Sequence, residues 1–303
     1  MKIIEVGPRD GLQNERQILS TQDKITYIEL LVDAGISRME AVSFARPDRV
    51  PQMADAEAVM AGVPRRDSVR YIGLVMNERG LDRAIASGVD EANIVVVATE
   101  TFSQRNQGMS VQESLRGTER MVTRAQDGGL SVSITIGASF GCPFEGEVST
   151  RQVMDIVTAV DRLGVDEIAL ADTIGVGTPV DVRRLVGAAL EITAAPLRLH
   201  LHNTRNTGYA NAFAALEAGV DSLDSSSGGI GGCPFAPNAT GNIATEDLAY
   251  LMERSGSPVD LDIDRLVAAS DFVTSKLAIA TPALLGRAGW FPAPEYPDAL
   301  AHD

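Results

Sequence analysis

The chain has 303 residues, 45% of them apolar, and a mean hydropathy of +0.03, which predicts a soluble globular protein with a sizeable core. Its 41 acidic residues against 26 Lys and Arg give a net charge of −15, which argues against nucleic acid or an anionic membrane as a partner. Two cysteines exclude a disulfide framework, and without a signal-peptide pattern or a membrane-length apolar run we expect a cytoplasmic protein.

Short apolar runs and amphipathic segments alternate along the chain. The apolar runs predict eight strands, at residues 3–6, 39–44, 70–75, 93–98, 131–136, 167–171, 197–202 and 222–225. The amphipathic segments predict helices at residues 21–34, 52–61, 80–87, 111–127, 150–163, 179–192, 209–218 and 245–254. Eight strand–helix units in succession, with no Gly-x-Gly-x-x-Gly after the first strand, favour an α/β fold of the (β/α)8 TIM-barrel type over a doubly wound sheet.

A further helix is predicted after the eighth unit, at residues 264–280. We found no linker and no repeat apart from the strand–helix alternation itself. We therefore expect a single TIM-barrel domain over residues 1–303, with residues 257–303 as a C-terminal extension that packs on the barrel.

The end of the first strand carries a charged pair, Arg9 and Asp10, followed by Gly11. Active sites of these barrels form at the carboxyl ends of the strands, so this pair is placed where it could face substrate. Arg-Asp-Gly is also common turn chemistry, and a solvated turn is the alternative interpretation.

Two of the three histidines, His200 and His202, stand two residues apart in the seventh strand and therefore share one of its faces. A hydrogen-bonded core histidine is the alternative, but a pair near the carboxyl end of a strand favours a metal site. With a carboxylate from Asp10, the donors suit Mg²⁺ or Mn²⁺ better than structural zinc, because no thiolate cluster accompanies them.

A glycine-rich segment follows the eighth strand and contains Cys233. Such a segment is a flexible linker or a backbone that approaches a ligand closely. Cys142 lies in a similar Gly-Cys-Pro-Phe tetrapeptide after the fifth strand, and position alone does not decide which thiol reacts.

Two further acids belong to strands, Asp172 at the end of the sixth and Glu40 inside the second. A charge inside an apolar strand needs a partner, and Arg9 is a candidate for Glu40. Each acid alone could form a structural ion pair. Together with the histidines and a thiol on one rim, they indicate a metal-assisted enzyme.

At these residues the chain resembles the hydroxymethylglutaryl-CoA lyase family, within the DRE-TIM metallolyase and aldolase barrels. The motifs span nearly the whole barrel: VGPRDGLQNE at 6–15, VPQM at 50–53, GCPFEG at 141–146, DTIGVGTP at 172–179, His200-x-His202, GGCPF at 231–235 and GNIATED at 241–247.

The resemblance implies a cation-dependent carbon–carbon lyase that splits 3-hydroxy-3-methylglutaryl-CoA into acetyl-CoA and acetoacetate by a retro-Claisen reaction. It implies Mg²⁺ or Mn²⁺ as cofactor and an acyl-CoA thioester as substrate, as in leucine degradation, with a homodimer expected. The implied cation ligands are Asp10, His200, His202 and Asn242. The implied catalytic residues are Arg9, which polarises the thioester, and the thiol of Cys233, with Asp172, Glu40 and the substrate-binding Gln13 shaping the site.

Three departures from the family pattern concern the substrate rather than the reaction. Asn203 follows the second histidine where the family usually has Asp, residues 45–49 lack a Lys-Trp pair, and the C-terminal thiol of some animal members is absent. A citramalyl-type or bulkier 3-hydroxyacyl-CoA is the first alternative, and extra arginines at 46, 49 and 205 could meet carboxylate or phosphate oxygens. An isopropylmalate- or homocitrate-type synthase is one further hypothesis, and a non-catalytic barrel that binds an acyl-CoA or a partner protein is the other.

Overall fold

The computed structural model describes residues 1–232 and 241–292, in which eight parallel strands close into a barrel in chain order. The strands are β1 (Lys2–Glu5), β2 (Arg38–Ser43), β3 (Arg70–Val75), β4 (Glu91–Val97), β5 (Ser131–Gly137), β6 (Glu167–Asp172), β7 (Leu197–Leu201) and β8 (Ser222–Ser225). Pairing of β1 with β8 closes the barrel, with Lys2 opposite Ser222 and Glu5 opposite Ser225. The predicted (β/α)8 fold is confirmed.

Helices surround the barrel and continue beyond the eighth strand. They are α1 (Thr21–Asp33), α2 (Ala56–Gly62), α3 (Glu78–Ala86), α4 (Glu100–Gln107), α5 (Val111–Asp127), α6 (Thr150–Asp161), α7 (Pro179–Leu190), α8 (Gly208–Glu217), α9 (Thr245–Arg254), α10 (Ile263–Leu277) and α11 (Leu285–Ala288). Helix α4 was not predicted, because its mostly polar residues give little apolar periodicity. The helix predicted to begin at residue 52 starts only at Ala56, since Pro51–Met53 form a separate 3₁₀ turn.

The N-terminus of α5 illustrates how local sequence fixes these helices. The Ser110 hydroxyl accepts a hydrogen bond from the Glu113 N–H, and the Glu113 carboxylate accepts one from the Ser110 N–H. This reciprocal cap satisfies two amide groups that the first helical turn would leave unpaired. Buried Met121 and Val122 then face the barrel.

The amino-terminal end of the barrel interior is closed by an ion cluster instead of the usual aliphatic layer. The Arg38 guanidinium donates to Glu91 at 2.8 and 3.0 Å and to Glu167 at 2.7 and 2.9 Å. Arg198, 1% exposed, lies 3.3 Å from Glu167, and the Ser222 hydroxyl donates to the same carboxylate. Buried charges of both signs therefore compensate each other.

Removal of Arg38 is expected to destabilise the fold strongly. Arg38→Ala leaves two buried carboxylates with Arg198 as their remaining cation, which should cost about 3–5 kcal/mol of unfolding free energy. Urea denaturation measures this loss. The matched control is Arg124→Ala, which breaks an exposed pair with Asp82 and should cost less than about 1 kcal/mol. Equal losses in the two variants would contradict a stabilising role for the cluster.

The segment after α10 packs against the loop that follows β8. The Thr281 hydroxyl and the Ala283 N–H both donate to the Gly228 carbonyl. The Asp247 carboxylate accepts the N–H groups of Leu284 and Leu285. No helix within residues 1–232 and 241–292 combines the length and apolar character needed to cross a bilayer. The single-domain organisation over residues 1–303 stays a prediction.

Candidate active site

A cleft of about 690 Å³ opens at the carboxyl ends of the strands. Five of the predicted site residues line it together, namely Arg9, Asp10, Gln13, His200 and His202. The barrel thus brings residues from the two ends of the chain to one surface, as the strand order requires.

Arg9 and Asp10 lie on a π-helical turn, Gly7–Gly11, directly after β1. Arg9 Nε donates to Glu40 Oε2 at 2.7 Å, Nη2 donates to the same oxygen, and Nη1 donates to Asp10 Oδ1 at 2.6 Å. The other Glu40 oxygen accepts from Asn93 Nδ2 at 2.8 Å. The predicted pairing of Arg9 with Glu40 is confirmed. The two carboxylates thus fix the position of the guanidinium at the cleft.

An irregularity in β2 aims Glu40 at Arg9. Glu40 pairs with Ile72 and Val42 with Gly73, so Ala41 is an extra residue in the register between β2 and β3. Without that bulge, Arg38, Glu40 and the cleft-lining Ser43 could not all face the interior, because alternate residues of a strand point to opposite faces.

The two imidazoles converge on Asp10. Nε2 of His200 lies 3.0 Å from Nε2 of His202 and 3.9 Å from Asp10 Oδ2, and ligand atoms of the three residues all lie within 4.8 Å of one another. His200 Nδ1 lies 3.1 Å from Asp224 Oδ2. Nε2 of His200 thus faces His202 and Asp10, whereas its Nδ1 faces Asp224 on the other side of the ring.

The charges around this group suit a divalent cation. Burial and the neighbouring His200 lower the pKa of His202 to about 3, which keeps that imidazole neutral. Burial alone would raise the pKa of Asp10, but Arg9 and both imidazoles hold it well below the ordinary value, so the carboxylate is ionised. Burial alone would lower the pKa of His200, but Asp224 and Asp10 raise it. A proton or a cation between the two Nε2 atoms relieves the repulsion of their lone pairs. One carboxylate and two imidazoles form an N/O donor set that fits a borderline or hard divalent ion.

Asn242, the fourth predicted ligand, lies beside Asp10. Its Nδ2 donates to Asp10 Oδ2 at 2.9 Å and to the Ile230 carbonyl at 3.2 Å. Gly231 makes this approach possible, because its φ is +104° and a Cβ there would come within 2.6 Å of Asn242 Nδ2. Coordination by the amide oxygen of Asn242 stays a prediction.

Asp172 and Gln13 differ in how their polar atoms are occupied. Asp172 is buried at the end of β6, where its two oxygens accept the Val176 and Gly177 N–H groups, both at 2.9 Å. Burial raises its pKa. In this arrangement Asp172 secures the turn after β6. The buried Gln13 Oε1 finds no hydrogen-bond partner among the described residues, which makes it available to a ligand of the cleft.

The structure describes one of the two cysteines. Cys142 is buried, and its sulfur accepts hydrogen bonds from the Thr99 hydroxyl at 3.1 Å and from the Phe144 N–H at 3.4 Å. These contacts make Cys142 a structural residue of the loop after β5. Cys233, the predicted catalytic thiol, lies outside the described residues.

Asn203, which departs from the family pattern, and Arg205, one of the extra arginines, both have structural partners. The Asn203 N–H donates to the Gly241 carbonyl, and Asn203 Oδ1 accepts the Gly208 N–H at the start of α8. Arg205 donates to the carbonyls of the turn after β6, at Ile174 and Gly175. These contacts brace loops around the cleft.

A buried acidic pair behind the cleft was missed from the sequence. Glu5 accepts the N–H groups of Gly7 at 2.7 Å and Ser227 at 3.0 Å and the hydroxyl of Thr245 at 2.7 Å. Glu246 accepts the Gly228 N–H and the Ser270 hydroxyl. The pair thus ties the turn of Arg9 to the loop after β8. The sequence feature that could have revealed this pair is Glu5 itself, a charged residue in the apolar strand β1.

Protonation of Glu5 should make stability depend on pH. Burial raises the pKa of Glu5 to about 8 and that of Glu246 to about 7, against an ordinary value of 4.5. Between pH 4.5 and about 8, Glu5 of the folded chain therefore holds a proton that the unfolded chain has released. The stability from protonated Glu5 is complete below pH 4.5 and is lost as pH rises to about 8.

We expect wild type to lose stability relative to Glu5→Gln across this range, by on the order of a few kcal/mol. Chemical denaturation at pH 5, 6, 7 and 8 measures the difference. Glu29→Gln, at an exposed position of α1, is the control and should follow the wild-type slope. Parallel curves for wild type and Glu5→Gln would show that Glu5 does not titrate on unfolding.

The fold and the cleft define a class of protein: a (β/α)8 barrel with an imidazole–carboxylate centre and a partly buried guanidinium at the carboxyl ends of its strands, as in cation-assisted enzymes. The HMGL-like family model matches residues 1–273. The chain belongs to the HMGL-like family, and the resemblance predicted from the sequence is confirmed.

Relatives agree over nearly the full length. The chain is 42% identical to the (R)-citramalyl-CoA lyase of Chloroflexus aurantiacus, over 99% of this chain and 96% of that protein. It is 39% identical to the mitochondrial hydroxymethylglutaryl-CoA lyase of Homo sapiens, over 95% and 89%. An HMG-CoA lyase of Acinetobacter baumannii, solved in complex with coenzyme A and 3-methylmalate, superposes with a TM-score of 0.92 at 40% identity, over 98% of this chain and 97% of that one.

Proposed function

We propose that this chain is a divalent-cation-dependent lyase that cleaves 3-hydroxy-3-methylglutaryl-CoA into acetyl-CoA and acetoacetate. The predicted enzyme class, a carbon–carbon lyase, is confirmed by the family and by the lyases among its relatives. The observation that carries the proposal is the convergence of Asp10, His200 and His202 beside the Arg9 guanidinium in one cleft.

The reaction makes defined demands on the site. The tertiary hydroxyl loses its proton, the bond between C2 and C3 of the acyl chain breaks, and its electron pair moves to C2. The alkoxide becomes the ketone of acetoacetate, and the enolate of acetyl-CoA takes up a proton at C2. The site must therefore stabilise negative charge at the thioester oxygen and at the hydroxyl oxygen.

Arg9 fits the first demand. Glu40 and Asp10 accept three of the hydrogen bonds that its five N–H groups can donate. Because Arg9 lines the cleft, its remaining N–H groups would offer a developing enolate a fixed, partly buried cation. Glu40 thus serves as the group that orients Arg9.

Asp10, His200, His202 and Asn242 would hold the cation, which we propose to be Mg²⁺ or Mn²⁺. When bound, such an ion lowers the pKa of a coordinated hydroxyl and orients it. Gln13, through its unpaired carbonyl oxygen, would bind the substrate. Catalytic roles for Cys233, as the donor of the final proton, and for Asp172 remain proposals from the sequence.

Arginines at the mouth of the cleft would bind the phosphates of coenzyme A. Exposed Arg49 and Arg105 line the cleft, and Arg105 stacks over the Phe144 ring at 4.3 Å. A neighbouring cavity that shares Arg46 and Met76 with the cleft adds Arg79 to this surface. The coenzyme A part of the substrate would thus extend from the cleft into the neighbouring cavity.

The double variant Arg49→Ala, Arg105→Ala should raise KM for the CoA thioester about tenfold or more, since each charge-assisted hydrogen bond contributes about 1.5 kcal/mol or more. Its kcat should change little, because neither side chain approaches the reacting carbons. Steady-state kinetics separate the two constants. Arg162→Ala, at the C-terminus of α6 and so at the opposite end of the barrel, is the control. A fall in kcat with KM unchanged would contradict this assignment.

(R)-citramalyl-CoA is the second candidate substrate, favoured by the 42% identity with the Chloroflexus lyase over nearly the whole chain. The same bond would break, and the second product would be pyruvate instead of acetoacetate. One methylene separates the two substrates, so a pocket should discriminate them by about 10–200-fold in kcat/KM.

The experiment incubates purified chain and Mg²⁺ with each thioester and assays acetyl-CoA, acetoacetate and pyruvate. Faster release of acetoacetate supports the proposal, and faster release of pyruvate supports the second candidate. No acetyl-CoA from either substrate would contradict both.

We further propose that the protein is cytoplasmic and forms a homodimer. Light scattering of the purified chain would test the dimer.

A further inference from the structure

Behind the predicted cation ligands lies a buried carboxylate, Asp224, to which the proposed function gives no role. Asp224 lies in β8, opposite His200 in the register between β7 and β8. It is 6% exposed and lines the floor of the cleft. Its Oδ2 lies 3.1 Å from His200 Nδ1, on the side of the ring away from His202 and Asp10.

The second oxygen of Asp224 faces a buried arginine. Its Oδ1 lies 3.6 Å from Nε of Arg198, which in turn lies 3.3 Å from Glu167 of the ion cluster at the amino-terminal end of the barrel. Neither Asp224 Oδ1 nor Arg198 Nε has a hydrogen-bond partner among the described residues, so the two groups interact as an ion pair. The carboxylate therefore lies between the Arg198 guanidinium on one side and Nδ1 of His200 on the other.

We propose that Asp224 is a positioning residue that fixes the tautomer and orientation of His200, so that its Nε2 lone pair is directed at the cation. This inference rests on the proposed function, since it assumes a cation at Asp10, His200 and His202. A carboxylate on Nδ1–H makes Nε2 a more basic ligand, and loss of such a partner typically weakens metal affinity about 10–100-fold.

The first test is Mn²⁺ binding by the metal-stripped full chain, followed by electron paramagnetic resonance. Asp224→Asn, which is isosteric, should raise the dissociation constant for Mn²⁺ about 10–100-fold. Asp221→Asn is the matched control: its carboxylate accepts the Leu197 N–H at the start of β7, and its Mn²⁺ affinity should match wild type. Cleavage by Asp224→Asn should recover as Mn²⁺ is raised, which a merely structural defect would not show.

The outcomes separate this inference from the proposed function. Equal Mn²⁺ affinity in wild type and Asp224→Asn would overturn the inference and leave the metal centre intact. A wild-type chain that binds no Mn²⁺ would overturn both.

A second measurement needs no Asp224 variant. Because the chain has three histidines, long-range ¹H–¹⁵N spectra of histidine-labelled protein can be assigned with His302→Ala and His202→Gln. The inference predicts a proton on Nδ1 of His200 in Mg²⁺-loaded protein. A proton on Nε2 instead would overturn it even if Asp224→Asn did not fold.

Discussion

Replacement of Arg9 by methionine should lower kcat for thioester cleavage by about 10³-fold. Among the described residues that line the cleft, Arg9 is the arginine whose guanidinium is held by two carboxylates. Removal of one donor aimed at a developing oxyanion costs about 10²–10³-fold in kcat, and loss of the whole charge should reach the upper end of that range. KM should change much less, because the ground-state thioester is uncharged. Steady-state kinetics at saturating Mg²⁺ measure both constants.

The control for Arg9 is Arg205→Met. Arg205 also lies near the carboxyl ends of the strands, but its guanidinium donates to the Ile174 and Gly175 carbonyls. That variant should keep most of its activity. Arg9→Met with near wild-type kcat would exclude Arg9 from the chemical step. Thermal unfolding of the variant is a necessary companion measurement, because Glu40 loses its buried cation.

Substitution of Asp10 by asparagine should remove activity because it weakens binding of the cation, whereas the Arg9 substitution acts on stabilisation of the enolate. The amide keeps the shape of the side chain but loses the charge that faces both imidazoles and Arg9. A Lewis-acid cation contributes several kcal/mol to the transition state, and each ~1.4 kcal/mol is a factor of ten. We therefore expect kcat/KM at fixed Mg²⁺ to fall by about 10³-fold.

Part of the Asp10→Asn defect should be recovered at high Mn²⁺, because the two imidazoles remain. Asp48→Asn is the control, since Asp48 is an exposed acid beside the cleft that pairs with Arg46. Activity of Asp10→Asn equal to that of Asp48→Asn would remove Asp10 from the cation site.

The barrel could be predicted from sequence because its signals are local. Each strand is a short apolar run, and the strand–helix alternation constrains the sheet to be parallel. The predicted grouping of Arg9, Asp10, His200 and His202 followed from the same reasoning, since carboxyl ends of barrel strands meet at one surface. Helix α4 was missed because polar residues hide its period.

What could not be predicted depends on contacts between distant strands. Arg38 reaches Glu91 and Glu167, which are 53 and 129 residues away. Asp224 reaches His200 only because β7 and β8 are neighbours in register. Likewise, sequence position alone did not decide whether Cys142 or Cys233 is the reactive thiol. Burial of Cys142 against Thr99 indicates that Cys142 is structural. Single-residue patterns carry no information on such pairings.

The most direct test of the central claim is a cation titration of metal-stripped chain with 3-hydroxy-3-methylglutaryl-CoA as substrate. Acetyl-CoA release should be absent in EDTA, should return on addition of Mg²⁺ or Mn²⁺, and should rise in step with the occupancy of one cation site per chain. The variant His202→Ala should need far more cation for the same rate. Undiminished cleavage in EDTA by protein shown to be free of metal would contradict the account.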